Sequence, residues 1–307
     1  MTQKKRWGSY IDTRNHKKVH EELLKKYEIY VDIDWIASWD SELEELNRNK
    51  RGAPYQYPPS MIKWQAFLVE KFSTRGAEAI TRKMESYQLI PKCNDHATIH
   101  RRVLAMDLKF EIPKGVKLHV GTDGSGFKQT YSGEYFQTKY GKERRKFVRV
   151  TITATKDEIL DVDVQVNEKG MITEPNSAQN HIENILEQGG EVEKVYNDGA
   201  FDTKKFFNFL GKHDIDSAIR IRSNASKNAR GSMRRKKEVF FFKKHTLAEW
   251  SKMKQYGHRW PMTESKFSAV KRIFGDCANA KHKEKVLVEL KRKFWLYNEL
   301  NKYGKMV

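Results

Sequence analysis

Three acidic residues stand out by the company they keep. Val116, Leu118 and Val120 alternate with Lys117, His119 and Gly121, the period-2 pattern of a half-buried strand. Asp123 falls on the polar side at the predicted end of that strand, where Gly124 and Gly126 are read as releasing the chain into a turn. Asp198 repeats the arrangement, because 192–196 reads as a strand and Asp198-Gly199 ends it. If the two strands are neighbours in one sheet, their ends converge, and two close carboxylates repel unless a cation lies between them. Hard oxygen ligands with water in the remaining positions suit Mg²⁺ or Mn²⁺. The third acid is Glu264, seven residues before Lys271 and therefore two helical turns away along one face. Both flank the stripe Phe267, Val270, Ile273 and Phe274, with Pro261 suited to the helix start. A carboxylate and an ammonium on one edge of such a helix could serve a metal and a phosphate together. Each feature alone has a plainer account: a turn-forming Asp-Gly, a surface Glu and Lys.

The elements around these acids read in order. Residues 1–20 are basic and polar and are expected to form an arm, followed by amphipathic helices near 19–27 and 36–46. RGAPYQYPPS (51–60) breaks the chain. Helical spacing then returns in Met61, Trp64, Phe67, Leu68 and Phe72, in Ala77, Ile80 and Met84, and in Thr98, Ile99, Val103 and Met106. Short helices with short connections are the material of DNA-binding modules, and Arg101 and Arg102 lie adjacent on the last of them as candidate DNA contacts.

From Phe147 the pattern becomes a long alternation. Val148, Val150, Ile152 and Ala154 face one way, a turn follows at 156–158, and Leu160, Val162, Val164 and Val166 resume the apolar face. Asp161 and Asp163 sit on the polar face of this hairpin and are expected to be solvated. A helix at 177–188 with Ser177 as N-cap, the strand before Asp198, a helix at 203–211 and a strand at 217–221 complete the series. The fold class is therefore α/β, a mixed central sheet covered by helices and preceded by an all-helical region. The division expected is 1–112 helical, 113–280 sheet-bearing, and 281–307 a terminal helix packed on the core through Leu287, Leu290, Phe294 and Tyr297.

Composition narrows the partner. The 307 residues carry 59 Lys+Arg against 40 Asp+Glu, a net charge of +19. A surplus of that size suits a polyanion, since each cation set on a phosphate releases condensed counterions. Membrane surface is the competing polyanion, but there is no apolar run near 18 residues, no signal-peptide core and no lipidation motif. Seven Trp, 13 Tyr and 16 Phe argue for a folded chain rather than a basic tail. Cys93 and Cys277, far apart, provide neither a disulfide framework nor a zinc ribbon, which fits a reducing compartment. The clusters Arg144-Arg145-Lys146 and Arg234-Arg235-Lys236-Lys237, the latter within a basic loop at 222–237, are candidate DNA contacts, as is Lys128. The pairs His16/His20 and His96/His100 have helical i, i+4 spacing but lack a third ligand nearby. Gly121-x4-Gly126 is not a P-loop, because Phe127 stands where the Lys must be. No nucleotide cofactor is expected.

Three stretches in order, GTDGSGFK (121–128), YNDGAFDT (196–203) and TESKFSAVKRIFG (263–275), resemble the DDE transposases of prokaryotic insertion sequences. The resemblance is to the insertion-sequence-five type within the broader insertion-sequence-four group. NDHATIHRR (94–102) is similar to the segment such enzymes carry before the catalytic domain. In that group a Tyr-x2-Arg precedes the Glu and a Lys follows it by seven positions. Tyr256, Arg259, Glu264 and Lys271 match, except that four residues rather than three separate Arg259 from Glu264. The resemblance implies an RNase H-like catalytic core and two divalent ions roughly 3.5–4 Å apart. Asp123 would bridge both ions, with Asp198 on one side and Glu264 on the other. Lys271 would hold a DNA phosphate, and Tyr256 and Arg259 would position the transposon end. It also implies cleavage by water at the element's terminal repeats, then attack of the freed 3′-OH on target DNA, by a cytoplasmic enzyme dimeric on DNA. A host nuclease of the same fold, or a domesticated DNA-binding protein that has lost catalysis, are the alternatives.

Overall fold

The computed structural model describes residues 15–129, 147–166, 171–228 and 230–306. Helix α1 (His16–Glu28) starts inside the stretch expected as an arm, because the Asn15 side chain accepts the Lys18 N–H at 3.2 Å and caps it. A 3₁₀ turn (Asp34–Ser38) leads into α2 (Trp39–Asn47). The two apolar patterns between 61 and 84 lie on either side of a break at Ser73, whose φ of 66° and ψ of 174° are non-helical, so that α3 (Pro59–Ser86) is two helical segments meeting at a kink. Helix α4 (His96–Leu104) is capped by Asp95, whose carboxylate accepts the Ala97 and Thr98 N–H groups at 2.8 and 2.9 Å.

The sheet contains β1 (Lys117–Gln129), β2 (Phe147–Ala154), β3 (Ile159–Val166), β4 (Glu191–Asn197), β5 (Asp216–Ile219) and the short β6 (Cys277–Ala278). Spatial order is β3-β2-β1-β4-β5, with β6 beside the far end of β1. β2 runs antiparallel to β1 and β3, while β4, β5 and β6 are parallel to their neighbours. This is the mixed, helix-flanked sheet of an RNase H-like core.

One expectation is corrected here. β1 does not end at Asp123-Gly124. Gly124 pairs with Thr151, Phe127 with Val148, and Lys128 with both Phe147 and Cys277. Pairing with β4, in contrast, stops at Gly121–Tyr196. Asp123 therefore lies mid-strand, at the point where β1 and β4 part.

Alternation sends β1 and β2 side chains to two covered faces. On one, Phe127, Val148, Val150 and Ile152 join Phe267, Val270 and Phe274 of α10 (Glu264–Phe274) and Leu290 and Phe294 of α11 (Lys283–Gly304). Phe294 takes Phe127 and Phe267 edge-on at centroid distances of 5.7 and 5.6 Å. Met61, Phe67 and Ile99 of the helical region extend the same core, so the sheet and the N-terminal helices share one apolar interior. Each fully buried side chain of this size contributes about 1.5–3 kcal/mol. Helix α11 packs on the sheet. Its Asn298 also acts as a surrogate strand, accepting the Ile159 N–H at 3.0 Å and donating to the Ile159 carbonyl at 2.7 Å.

The opposite face is covered by α5 (Glu174–Glu187) and α6 (Lys204–Lys212), through Ala178, Ile182, Ile185, Phe206, Phe207 and Leu210. Helix α5 starts at Glu174, with Pro175 in its first turn, three residues earlier than expected; Ser177 is buried inside it and donates to Asp163 at 2.9 Å. Asn184 likewise donates to Asp161 at 3.0 Å. The two hairpin aspartates, half-buried, thus lie against α5 rather than wholly in solvent, bordering a polar layer in which Thr122, Thr153 and His181 bond in series at 2.8 and 2.9 Å. The expected loop at 222–237 is shorter too, since α7 (Met233–Lys244) begins at Ser232, whose hydroxyl caps it. Helices α8 (Leu247–Lys254) and α9 (Arg259–Met262) then lead to α10.

Candidate active site

The parting of β1 and β4 brings the three acids to one side. Asp123, opposite Ile152 in the register, faces the α10 side of the sheet and accepts the Gly124 N–H at 2.9 Å. Asp198 follows β4 in extended conformation and caps the short turn Gly199–Phe201, accepting the Ala200 N–H at 2.8 Å. Glu264 opens α10, immediately after Thr263 departs from helical geometry and separates α9 from α10. That junction sits directly on β1. A Cβ at Gly121 would lie 3.1 Å from Met262 and 3.3 Å from Thr263, so glycine permits the close approach that delivers Glu264.

Arg259 closes the arrangement. Its guanidinium lies 3.4 Å from Asp123 Oδ2 and donates to Glu264 Oε1. The extra residue between Arg259 and Glu264 is absorbed by the break at Thr263, so the arginine still reaches both acids. Burial pushes the Asp123 carboxyl above its ordinary range; Arg259 opposes the rise, while Asp198 and Glu264 add to it. For Arg259, burial works against the charge but is outweighed by Tyr256, Glu264, Asp123 and Asp198. Tyr256 packs between Trp250, at a centroid distance of 5.0 Å, and Arg259, whose guanidinium carbon is 5.8 Å from its ring centre. Among the described residues no three acid, histidine or cysteine side chains stand close enough to enclose an ion as they are. Arg259 holds two of the acids from between.

The donor set nevertheless fits a hard divalent cation. Three carboxylates from three elements share one electrostatic environment, and two of them are held together by a positive group that an ion of higher charge can displace.

The remaining candidates separate by their partners. Lys271 donates to Ser125 Oγ at 2.7 Å and the Gly126 carbonyl at 3.0 Å, placing its ammonium two residues along β1 from Asp123. Lys128 pairs with Asp276 at 3.0 Å near the outer end of the same strand. Arg101 is exposed on α4, whereas Arg102 stacks on Tyr55 at 4.3 Å. Arg234 donates to the carbonyls of Leu210 and Ile215. Arg235 makes a two-pronged contact, 2.6 and 3.0 Å, with the fully buried carboxylate of Asp202. Lys237 is exposed and Lys236 half-buried on the same helix. Arg144, Arg145 and Lys146 lie outside the described residues. His96 bonds Glu78 at 3.1 Å and His100 approaches Lys285 at 3.4 Å, so that pair does not converge on a shared site.

Glu174 is the residue that sequence reasoning missed. It is the first residue of α5, on the other face of the sheet, and its carboxylate lies over the Gly124 backbone. Burial pushes its carboxyl upward, Arg149 opposes this, and the charges of Asp123 and Asp198 reinforce it. An acidic residue just before Pro175 is a helix-start signal, which the placement of the helix start at Ser177 obscured.

Residues 114–298 match the family model described as the transposase DDE domain. Similar solved structures include a synaptic complex of the piggyBac transposase with hairpin DNA. That likeness is at 10% identity, covering 96% of this chain and 80% of that one, with a TM-score of 0.33. Another is the Drosophila P element transposase strand transfer complex, at 12% identity over 64% of this chain and 47% of that one, with a TM-score of 0.32.

Proposed function

Because the chain belongs to the transposase DDE-domain family, which it matches over residues 114–298, we propose that it cuts and joins DNA at the ends of its own element through Asp123, Asp198 and Glu264. The observation that carries this reading is the convergence of the three acids' charges at the parting of β1 and β4, bridged by Arg259. Asp123 and Asp198, from adjacent parallel strands, would hold one divalent ion, and Asp123 with Glu264 a second. Divalent ions bound there supply Lewis-acid stabilisation of the phosphodiester and a water of lowered pKa.

The chain's own residues do the rest. Lys271 reaches along β1 toward the scissile side and holds a phosphate there. Arg259, once the carboxylates held ions, would be free to turn to a phosphate, and Tyr256, whose ring lies beside its guanidinium, would help to position the transposon end. Arg101, Lys128, Lys236 and Lys237 supply backbone contacts to the duplex. Arg102, Arg234 and Arg235 shape the surface from which those contacts are made. Two ends must be joined in one event, so a dimer on DNA of the insertion-sequence-five type is the working assembly.

The test is strand cleavage and joining on labelled DNA from the gene's own flanks, in Mg²⁺ and in Mn²⁺. Wild type should cut at a flank boundary and give joined products. Asp123→Asn and Glu264→Gln should retain end binding and lose cleavage, since each removes a metal ligand without removing a phosphate contact. Cleavage by Asp123→Asn at the wild-type rate would take Asp123 out of the site, and cutting without preference for the flanks would make the protein a nuclease.

A further inference from the structure

Gly124 occupies the middle of a paired strand, where its φ is unremarkable and glycine weakens the sheet. What requires it is space. A Cβ at this position would meet Glu174 Oε1 at 2.4 Å and Glu174 Cδ at 2.9 Å. The carboxylate therefore rests on the backbone of the residue next to Asp123. It reaches there from the α5 side, whereas Asp123 projects to the α10 side. The α5 face also carries buried polar groups without partners. Among the described residues, the Thr151 hydroxyl, on the residue paired with Gly124, is buried and has no hydrogen-bond partner, and neither has either end of the buried Asn197 amide. By strand alternation Asn197, one residue before Asp198, shares the α5 face with Thr151. Buried polar atoms in this condition call for water or an ion.

We propose that Glu174 is a fourth carboxylate of the metal site, accepting the coordinated water of a divalent ion held by Asp123 and Asp198, with Thr151 and Asn197 completing the water's hydrogen bonds. The role is one of positioning, since Glu174 acts on the ion through its water shell. Mg²⁺ and Mn²⁺ retain several waters, and an ion held by Asp123 and Asp198 would leave some of them for an acceptor such as Glu174. Gly124 is the structural condition for it. The inference rests on the reading of Asp123 and Asp198 as ligands, and the test separates the two.

Mn²⁺ binding to the full-length protein without DNA would be measured by electron paramagnetic resonance of free Mn²⁺, with thermal melting to verify folding. Glu174→Gln keeps size and hydrogen bonding while removing the charge, and should weaken Mn²⁺ about tenfold or more, the usual effect of losing an outer-shell partner. Gly124→Ala should produce a comparable loss, because its Cβ takes the volume the carboxylate occupies, and should add little on top of Glu174→Gln. Asp123→Asn should reduce binding further than either. Unchanged Mn²⁺ affinity in Glu174→Gln, with affinity lost in Asp123→Asn, would overturn the fourth carboxylate and leave the three-acid site standing. Unchanged affinity in Asp123→Asn would remove the three-acid reading and this inference with it.

Discussion

Arg235 decides whether the four-cation cluster on α7 reads DNA or holds the fold. Its guanidinium is 12% exposed and grips Asp202, whose carboxylate is fully buried and also accepts the Arg222 N–H at 3.0 Å. Asp202 ends the turn that Asp198 caps, so the pair anchors the loop carrying one of the three acids. Arg235→Ala would leave a buried carboxylate with one backbone donor, and breaking such a pair from one side costs about 3–5 kcal/mol. At about 2 °C per kcal/mol for a chain of this size, the midpoint of thermal unfolding should fall by roughly 6–10 °C. Arg235→Ala combined with Asp202→Ala removes both charges and should recover most of that loss. The salt dependence of DNA binding should change little, because the guanidinium is already committed. The outcome that refutes this account is an unchanged melting point, together with a log–log salt slope lowered by about 0.9, the signature of one lost phosphate contact on duplex DNA.

The neighbouring lysines should behave in the opposite way: Lys236→Ala with Lys237→Ala should lower the salt slope by up to about 1.8 and leave the melting point nearly unchanged, and an unaltered slope would return them to plain surface. His181 is buried, and burial drives its pKa below the ordinary value, against Asp161 and Asp163 and with Lys291. The folded state therefore prefers the neutral ring, so its contribution to stability is present above about pH 6.5 and is lost as pH falls below that. Urea midpoints should drop between pH 7 and pH 5 in wild type and less so in His181→Gln; equal drops in the two proteins would exclude His181 as the cause. Asn298→Leu strips the Ile159 N–H and carbonyl of the Asn298 amide, at about 1–3 kcal/mol for each buried group, and a urea midpoint equal to wild type would show that the surrogate-strand contact contributes nothing.

Much was legible in the sequence because it is written in local periodicity. The β2–β3 hairpin, the helical N-terminal region and the terminal helix follow from alternation and helical spacing over a few turns of chain, whereas Asp123, Asp198, Glu264 and Lys271, each with a plainer account alone, are grouped by the resemblance of their motifs. The length of β1 does not. Gly-Ser-Gly after Asp123 has the local preference of a turn, and only pairing with β2 and β6, from residues far along the chain, holds it extended. Asp161 and Asp163 looked solvated because alternation tells which face a residue is on, but not whether a helix covers that face. The same non-local geometry sorted the cations. Arg235 and Lys237 are alike as sequence, and only the buried Asp202 turns one inward. Glu174 lay unseen for a related reason: what draws it toward the acids is the absence of a side chain at Gly124, fifty residues earlier, and contact between a carboxylate and a missing Cβ exists only once the sheet and α5 are packed together.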